Sequence, residues 1–116
     1  MSSQLTPEDA LALWREVLVA RVSSDEPDLT ERQMAIFLTV YVNDPPHTVR
    51  GLAALLRISK PAVTRALDTL GRLGYVQRKR DDADRRNVLV QRTEKGRDFL
   101  AAFGTQISAI IQTRIA

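Results

Sequence analysis

The chain has 116 residues, 44% of them hydrophobic and 27% charged, with a formal net charge of +3 and no cysteine. That length predicts one domain, and the lack of cysteine excludes disulfides and a thiol-based oxidant sensor. No apolar run approaches the roughly 20 residues of a membrane helix, and the polar start before Pro7 lacks the apolar stretch of a signal peptide, so a small soluble cytoplasmic protein without membrane contact is expected.

Thr6-Pro7-Glu8-Asp9 is a strong helix start, with Thr6 as cap, proline at the first helical position and acids against the helix dipole. Leu11, Trp14, Leu18 and Arg21 then follow one face. Ser23 to Asp28 is polar, acidic and broken by Pro27, and reads as a connection. Thr30-Glu31-Arg32-Gln33 has the capping-box pattern ahead of a helix through Met34, Phe37, Leu38 and Tyr41. Asn43-Asp44-Pro45-Pro46 ends that helix, because a residue before proline disfavours helical geometry.

A short helix is predicted over Thr48 to Leu56, capped by Thr48, with Leu52, Leu55 and Leu56 at helical spacing and Ala53 small enough for a second helix to cross closely. After an Arg57-Ile58 turn, Ser59 caps another helix with Pro61 in its first turn, running to about Leu73 with Gly74 as its C′ residue. Ala62, Val63, Ala66, Leu67, Leu70 and Leu73 form its core stripe. Its other face carries Ser59, Lys60, Thr64, Arg65, Asp68, Thr69 and Arg72, the hydroxyls and cations that a major-groove helix uses on bases and phosphates. An ordinary solvated helix face is an equal reading of that pattern alone.

Two β-prone runs, Tyr75 to Lys79 and Asn87 to Arg92, flank Arg-Asp-Asp-Ala-Asp-Arg-Arg. A hairpin has no core reason for that tip. Arg80, Arg85 and Arg86 suit phosphates or a narrow minor groove, whereas Asp81, Asp82 and Asp84 repel phosphate and are expected to orient arginines or cap the turn. Two short helices, a tight turn and a charged hairpin are the outline of a winged helix that binds DNA. Thr48 and Arg50, at the start of the preceding helix, complete the candidate DNA contacts.

The last helix begins near Thr93 and carries Phe99, Leu100, Phe103, Ile107, Ile110, Ile111 and Ile115, with Gly104 as a place for a kink. This stripe is too long for a lone surface helix, and it is expected to pair with residues 7 to 22 and with a second chain. Packing back on its own domain alone is the competing reading. Leu11, Trp14, Leu18, Phe103, Ile107, Ile110 and Ile111 are the candidate dimer contacts.

Charge is distributed unevenly. Residues 57 to 97 hold twelve Lys or Arg against five Asp or Glu, while residues 1 to 47 hold three against eight. A basic central module suits a polyanion, with phosphate contacts giving salt-dependent affinity.

The run from Leu52 to Arg65, then Leu70, Gly74-Tyr75-Val76, Asp84-Arg85-Arg86 and Thr93-Glu94-Lys95-Gly96, resembles the MarR family of transcriptional regulators. The resemblance implies a homodimeric winged helix-turn-helix protein that binds a pseudo-palindromic operator, as a repressor in many members, and that often releases it when a small-molecule effector binds. It maps the recognition helix, residues 59–73, onto Ser59, Lys60, Pro61, Thr64 and Arg65, and the Asp-x-Arg signature of the wing, residues 80–86, onto Asp84 and Arg86. It would place an effector among Trp14, Phe37, Tyr41, Phe99 and Phe103, although such aromatic residues at helical spacing are more often core. Three departures stand out: Arg57 where glycine is usual, which either avoids positive φ or carries strain; Arg92 where leucine is usual; and a chain that stops at Ala116, short of the usual longer helical dimerisation region.

The expected fold is therefore mainly α with a small β-hairpin. Residues 1–29 supply an N-terminal dimerisation helix and connection, 30–92 the winged helix-turn-helix core, and 93–116 a C-terminal dimerisation helix. His47, the single histidine, follows Pro45-Pro46 without a partner at ligand spacing and reads as an exposed loop residue. There is no phosphate-binding glycine loop and no nucleophile with a base, so neither catalysis, metal nor cofactor is expected. The alternative function is a winged helix that recognises a protein, through its acidic N-terminal segment or exposed isoleucines, without specific DNA binding.

Overall fold

The computed structural model describes residues 5–115. Residues 1–4, which make up most of the polar start, and the side chain of Ile115 lie outside the described set. The elements are α1 (Pro7–Val22), α2 (Glu31–Val42), α3 (Val49–Leu56), α4 (Lys60–Arg72), β1 (Val76–Arg80), β2 (Val88–Arg92) and α5 (Glu94–Ile115). The chain forms two compact units, residues 29–99 and residues 1–28 with 100–116.

The caps follow the local sequence. Thr6 Oγ1 accepts from the Asp9 N–H at 3.1 Å while Asp9 accepts from the Thr6 N–H at 3.4 Å. Thr30 and Gln33 make the same reciprocal pair at 3.1 and 2.9 Å. Each satisfies two N–H groups that a helix start leaves open, and a cap of this kind contributes about 1 kcal/mol.

In the unit 29–99, Ile36, Phe37 and Val40 of α2 meet Leu52 and Ala53 of α3 and Val63, Leu67 and Leu70 of α4, all buried. Tyr75, Val76 and Val90 close this core from the hairpin side. Two leucines depart from the periodic reading: Leu55 is 58% exposed and Leu73 is half-buried. An eight-residue helix offers only one narrow stripe, already filled by Leu52 and Ala53, and Leu73 falls after the last helical turn.

Both helices of the helix-turn-helix end in the same motif. After α3, the Ile58 N–H bonds to Ala53 O at 3.1 Å and the Arg57 N–H to Ala54 O at 3.4 Å. After α4, the Tyr75 N–H bonds to Leu70 O at 2.9 Å and the Gly74 N–H to Gly71 O at 3.0 Å. This is a Schellman closure, which requires a left-handed residue at C′. Gly74 supplies it with φ 80°, and Arg57 supplies it with φ 56°, so Arg57 accepts the strain.

The second closure also moves the strand boundary. With its N–H held by α4, Tyr75 cannot join the ladder, and β1 starts at Val76. At the far end the Asp81 N–H bonds to Asn87 O at 3.1 Å, so Arg80, expected in the loop, pairs with Val88 as the last rung. The antiparallel register runs from Val76 opposite Arg92 to Arg80 opposite Val88. On its other side β2 meets the segment before α3: the Val90 N–H bonds to His47 O at 2.9 Å, and Thr48 bridges Leu89. His47 is in a loop as expected but half-buried instead of exposed, with its carbonyl held by β2 and its Nε2–H donating to Asn43 O at 3.1 Å.

In the other unit, α1 packs on the later part of α5. Val17 and Phe103 are buried, the Arg21 guanidinium lies 5.4 Å from the centre of the Phe103 ring, and Arg114 pairs with Glu16 at 2.6 Å. α5 is continuous through Gly104, so the glycine does not interrupt the helix.

Candidate nucleic-acid interface

The exposed face of α4 follows from what its other face buries. With Ala62, Val63, Ala66, Leu67 and Leu70 turned inward, Lys60, Pro61, Thr64, Arg65 and Asp68 are left exposed, and Thr69 is half-buried. Two of the candidate hydroxyls already serve the backbone. Ser59 Oγ accepts from the Ala62 N–H at 3.2 Å, and Thr48 Oγ1 accepts from the Gly51 N–H at 2.9 Å.

The wing tip is ordered by its aspartates. Asp81 accepts from the Ala83 N–H at 2.9 Å, and Asp84 accepts from the Arg86 N–H at 3.1 Å, the short-range turns these side chains favour. Asp84 also grips the Arg86 guanidinium with both oxygens, Nε to Oδ1 at 3.1 Å and Nη2 to Oδ2 at 3.2 Å. The Arg86 side chain nevertheless remains 79% exposed, aimed outward on a fixed base. The Arg86 side chain first, then its N–H, and after these the charge of Arg50, hold the Asp84 carboxyl below the ordinary aspartate value against a small desolvation penalty. Arg50, exposed in the first turn of α3, makes the smallest of these contributions. Arg80 Nη1 donates to Arg85 O at 2.8 Å and braces the loop from the opposite strand.

Two contacts around this face have no signal in the sequence. Arg78 of β1 pairs with Asp68 of α4 at 2.7 Å, tying the wing to the helix beside it. No periodicity links a helix residue to a strand residue ten positions later. Arg92 donates from Nε to Val40 O at 2.8 Å and from Nη2 to Asn43 O at 2.9 Å, with its guanidinium 5.8 Å from the centre of the Tyr41 ring. It caps the C-terminus of α2, which has no basic residue in its own last turn. The departure from leucine therefore anchors the second wing strand to α2.

The aromatic residues divide between the two units. Phe37 is fully buried, with ring centres of Tyr41, Tyr75 and Phe99 at 5.3, 5.1 and 5.7 Å. The Tyr41 hydroxyl donates to Tyr75 O at 2.7 Å and accepts from the Thr93 N–H at 2.8 Å. Trp14 is on α1 of the other unit and 50% exposed. With it on α1, Leu11 and Leu18 are exposed, while Ile107, Ile110 and Ile111 on α5 are half-buried. Among the described residues, no cluster of His, Asp or Glu is placed to hold a metal ion, and no helix is long and apolar enough to cross a membrane.

A model of the MarR family matches residues 28–87. An uncharacterised HTH-type transcriptional regulator of Mycobacterium leprae is 27% identical over 100 residues, covering 86% of this chain and 69% of that protein. A transcriptional regulator of Thermotoga maritima superposes with a TM-score of 0.70 at 26% identity, over 91% of this chain and 72% of that one. Streptococcus pneumoniae FabT, solved in complex with DNA, superposes with a TM-score of 0.69 at 25% identity, over 91% of this chain and 76% of its own.

Proposed function

This chain belongs to the MarR family, and from that premise we infer that it is a DNA-binding transcriptional regulator, not an enzyme, acting as a homodimeric repressor on a pseudo-palindromic operator. The observation that carries the reading is the pairing of two charged elements on one scaffold: the exposed Lys60, Thr64 and Arg65 of α4, and the forked, outward Arg86 of a wing bonded to that same helix. The DNA complex of FabT, a protein of similar fold, supports it.

In this reading α4 enters the major groove. Arg65 and Lys60 reach guanine acceptors or phosphates, while Arg86 lies in or beside the minor groove, where a narrow A·T-rich segment concentrates negative potential. Thr48 and Ser59, with their oxygens held by helix N–H groups, keep their hydroxyl hydrogens for phosphate. Arg50, Thr69, Arg80 and Arg85 add backbone attraction. The acid at Asp84 orients Arg86 and makes no contact of its own with phosphate.

The exposed Leu11, Trp14 and Leu18 supply the dimer contact, together with the α5 isoleucines. Two recognition helices related by a two-fold then enter successive major grooves about 34 Å apart. Phe37, Tyr41 and Phe99 are read as core and not as an effector pocket, because their rings fill one another's space.

Fluorescence anisotropy on the upstream genomic duplex, on a scrambled duplex of equal length and on duplexes recovered from a randomised pool, across a salt series, tests the reading. Saturable, sequence-dependent binding that weakens with salt is expected. Arg65→Ala lowers affinity by about 1–3 kcal/mol and relaxes sequence preference, whereas Arg86→Ala weakens binding more uniformly. Absence of binding to every duplex at low salt sinks the DNA reading and favours a protein partner.

A further inference from the structure

We propose that Asp68 and Arg78 are positioning residues that fix the angle of the wing to the recognition helix, and so set the separation of the groove-reading Arg65 and Arg86. This rests on the DNA-binding reading and adds to it a device that neither groove contact supplies.

The placement comes from two periodicities. Asp68 stands three residues after Arg65 and four after Thr64, one turn along the same exposed helix face. Arg78 is two residues beyond the buried Val76 on β1 and pairs opposite the buried Val90, so it leaves the strand on the side that faces α4. Along that side the hairpin passes from apolar burial at Val76 to the ion pair with Asp68, and then to Arg80 bracing the loop at Arg85 O. The 2.7 Å pair therefore sits at the middle rung of the ladder, between the buried Val76 at its base and the loop that carries Arg86.

A hairpin needs such a tie. Two paired strands of five residues are marginal on their own, and beyond Val76 every residue of β1 is exposed. Burial of Val76 and Val90, the His47 O contact and the Thr48–Leu89 bridge hold the base of the hairpin and the β2 edge, whereas on the β1 side, beyond Val76, it is the Arg78–Asp68 pair that ties the strand to α4.

The pair acts mainly in the bound state. In the free protein its side chains are 52% and 35% exposed, and an ion pair that wet adds little to stability. When a duplex displaces water from the α4 face, the effective dielectric falls and the same pair strengthens. An unpaired Asp68 would then lie against phosphate with nothing to neutralise it. The two partners are thus unequal: losing Asp68 frees the wing, whereas losing Arg78 frees the wing and also exposes an acid to the polyanion.

A double-mutant cycle on the full chain decides the matter, using a duplex recovered by the wild-type protein from a randomised pool. Asp68→Asn is expected to weaken binding by about 3- to 10-fold and Arg78→Gln by more, with thermal unfolding of both variants close to wild type. In an Arg86→Ala background Asp68→Asn should cause little further loss, since the element it positions no longer reads the groove. Wild-type affinity for Asp68→Asn overturns the proposal, as does an equal fold-loss with and without Arg86, which would mark a direct or merely structural role. A wild-type protein that recovers no duplex fails at the DNA reading itself, an outcome separate from either of these.

Discussion

The unit of residues 29–99 and the unit of α1 with the later part of α5 treat their apolar residues in opposite ways. The first buries Ile36, Phe37, Val40, Leu52, Val63, Leu67 and Leu70 almost completely and, Arg92 apart, turns most of its cations outward. In the second, Val17 and Phe103 are buried, but Leu11, Trp14, Leu18, Val19 and Val22 are exposed along a sixteen-residue helix. A chain that can hide its apolar side chains internally does so, because each one left in water forgoes about 1.5–3 kcal/mol. The first unit therefore closes a core of its own, although Val42 and Leu55 stay exposed at 74% and 58%. The second carries a surface of the kind that marks a protein contact, consistent with the proposed dimer.

The largest test of that contrast removes the proposed contact. Trp14→Asp combined with Leu18→Asp should give a folded monomer by sedimentation and lower operator affinity by roughly 100-fold or more, because each half-site is then bound alone. Unchanged mass and affinity would mean that the exposed face has another purpose. Inside the unit of residues 29–99, Gly96→Ala should be the most damaging small change. A Cβ there would collide with the Tyr41 hydroxyl and Tyr75 O, at the point where α2, the hairpin base and the start of α5 meet. About 2–3 kcal/mol of destabilisation in a denaturant titration is expected for such overpacking.

Arg92→Leu should cost about 1 kcal/mol by the same titration, through loss of two hydrogen bonds to the last carbonyls of α2. A neutral outcome would show that packing replaces the cap. Arg57→Gly is the smallest and has the opposite sign. Removing the left-handed strain of a residue with a side chain should raise stability by about 0.5–1 kcal/mol, after the greater chain entropy of glycine is subtracted.

Much of the fold was legible because it is local. Caps at Thr6, Thr30, Thr48 and Ser59, the core stripe of α4 and the left-handed Gly74 each depend on residues within one or two turns, and each is present. The wing was legible in outline, with Asp84 and Arg86 paired, but its ends moved by one residue. The Tyr75 N–H was already committed to α4, a demand that strand propensity does not register.

What escaped the sequence reading has a common character. At Arg57 the sequence left an avoided positive φ and a strained one both open, and the closure it shares with Gly74 decides for the strained one. Leu55 shares the helical spacing of Leu52 yet is exposed, because periodicity defines a face and not whether anything covers it. His47 was placed in solvent by its prolines but is held along β2 by a backbone bond from Val90.

The order of the helices and strands, their caps, the inward stripe of α4 and the basic character of the face opposite are all written in the chain, since they follow from side chains a few residues apart. It took the packed fold to make Arg92 the cap of α2, to bring Tyr41 onto the backbone of Tyr75 and Thr93, and to tie Arg78 to Asp68. Those partners lie between ten and fifty-two residues apart, and a long flexible side chain acquires a specific partner only when packing has already fixed both backbones within its reach.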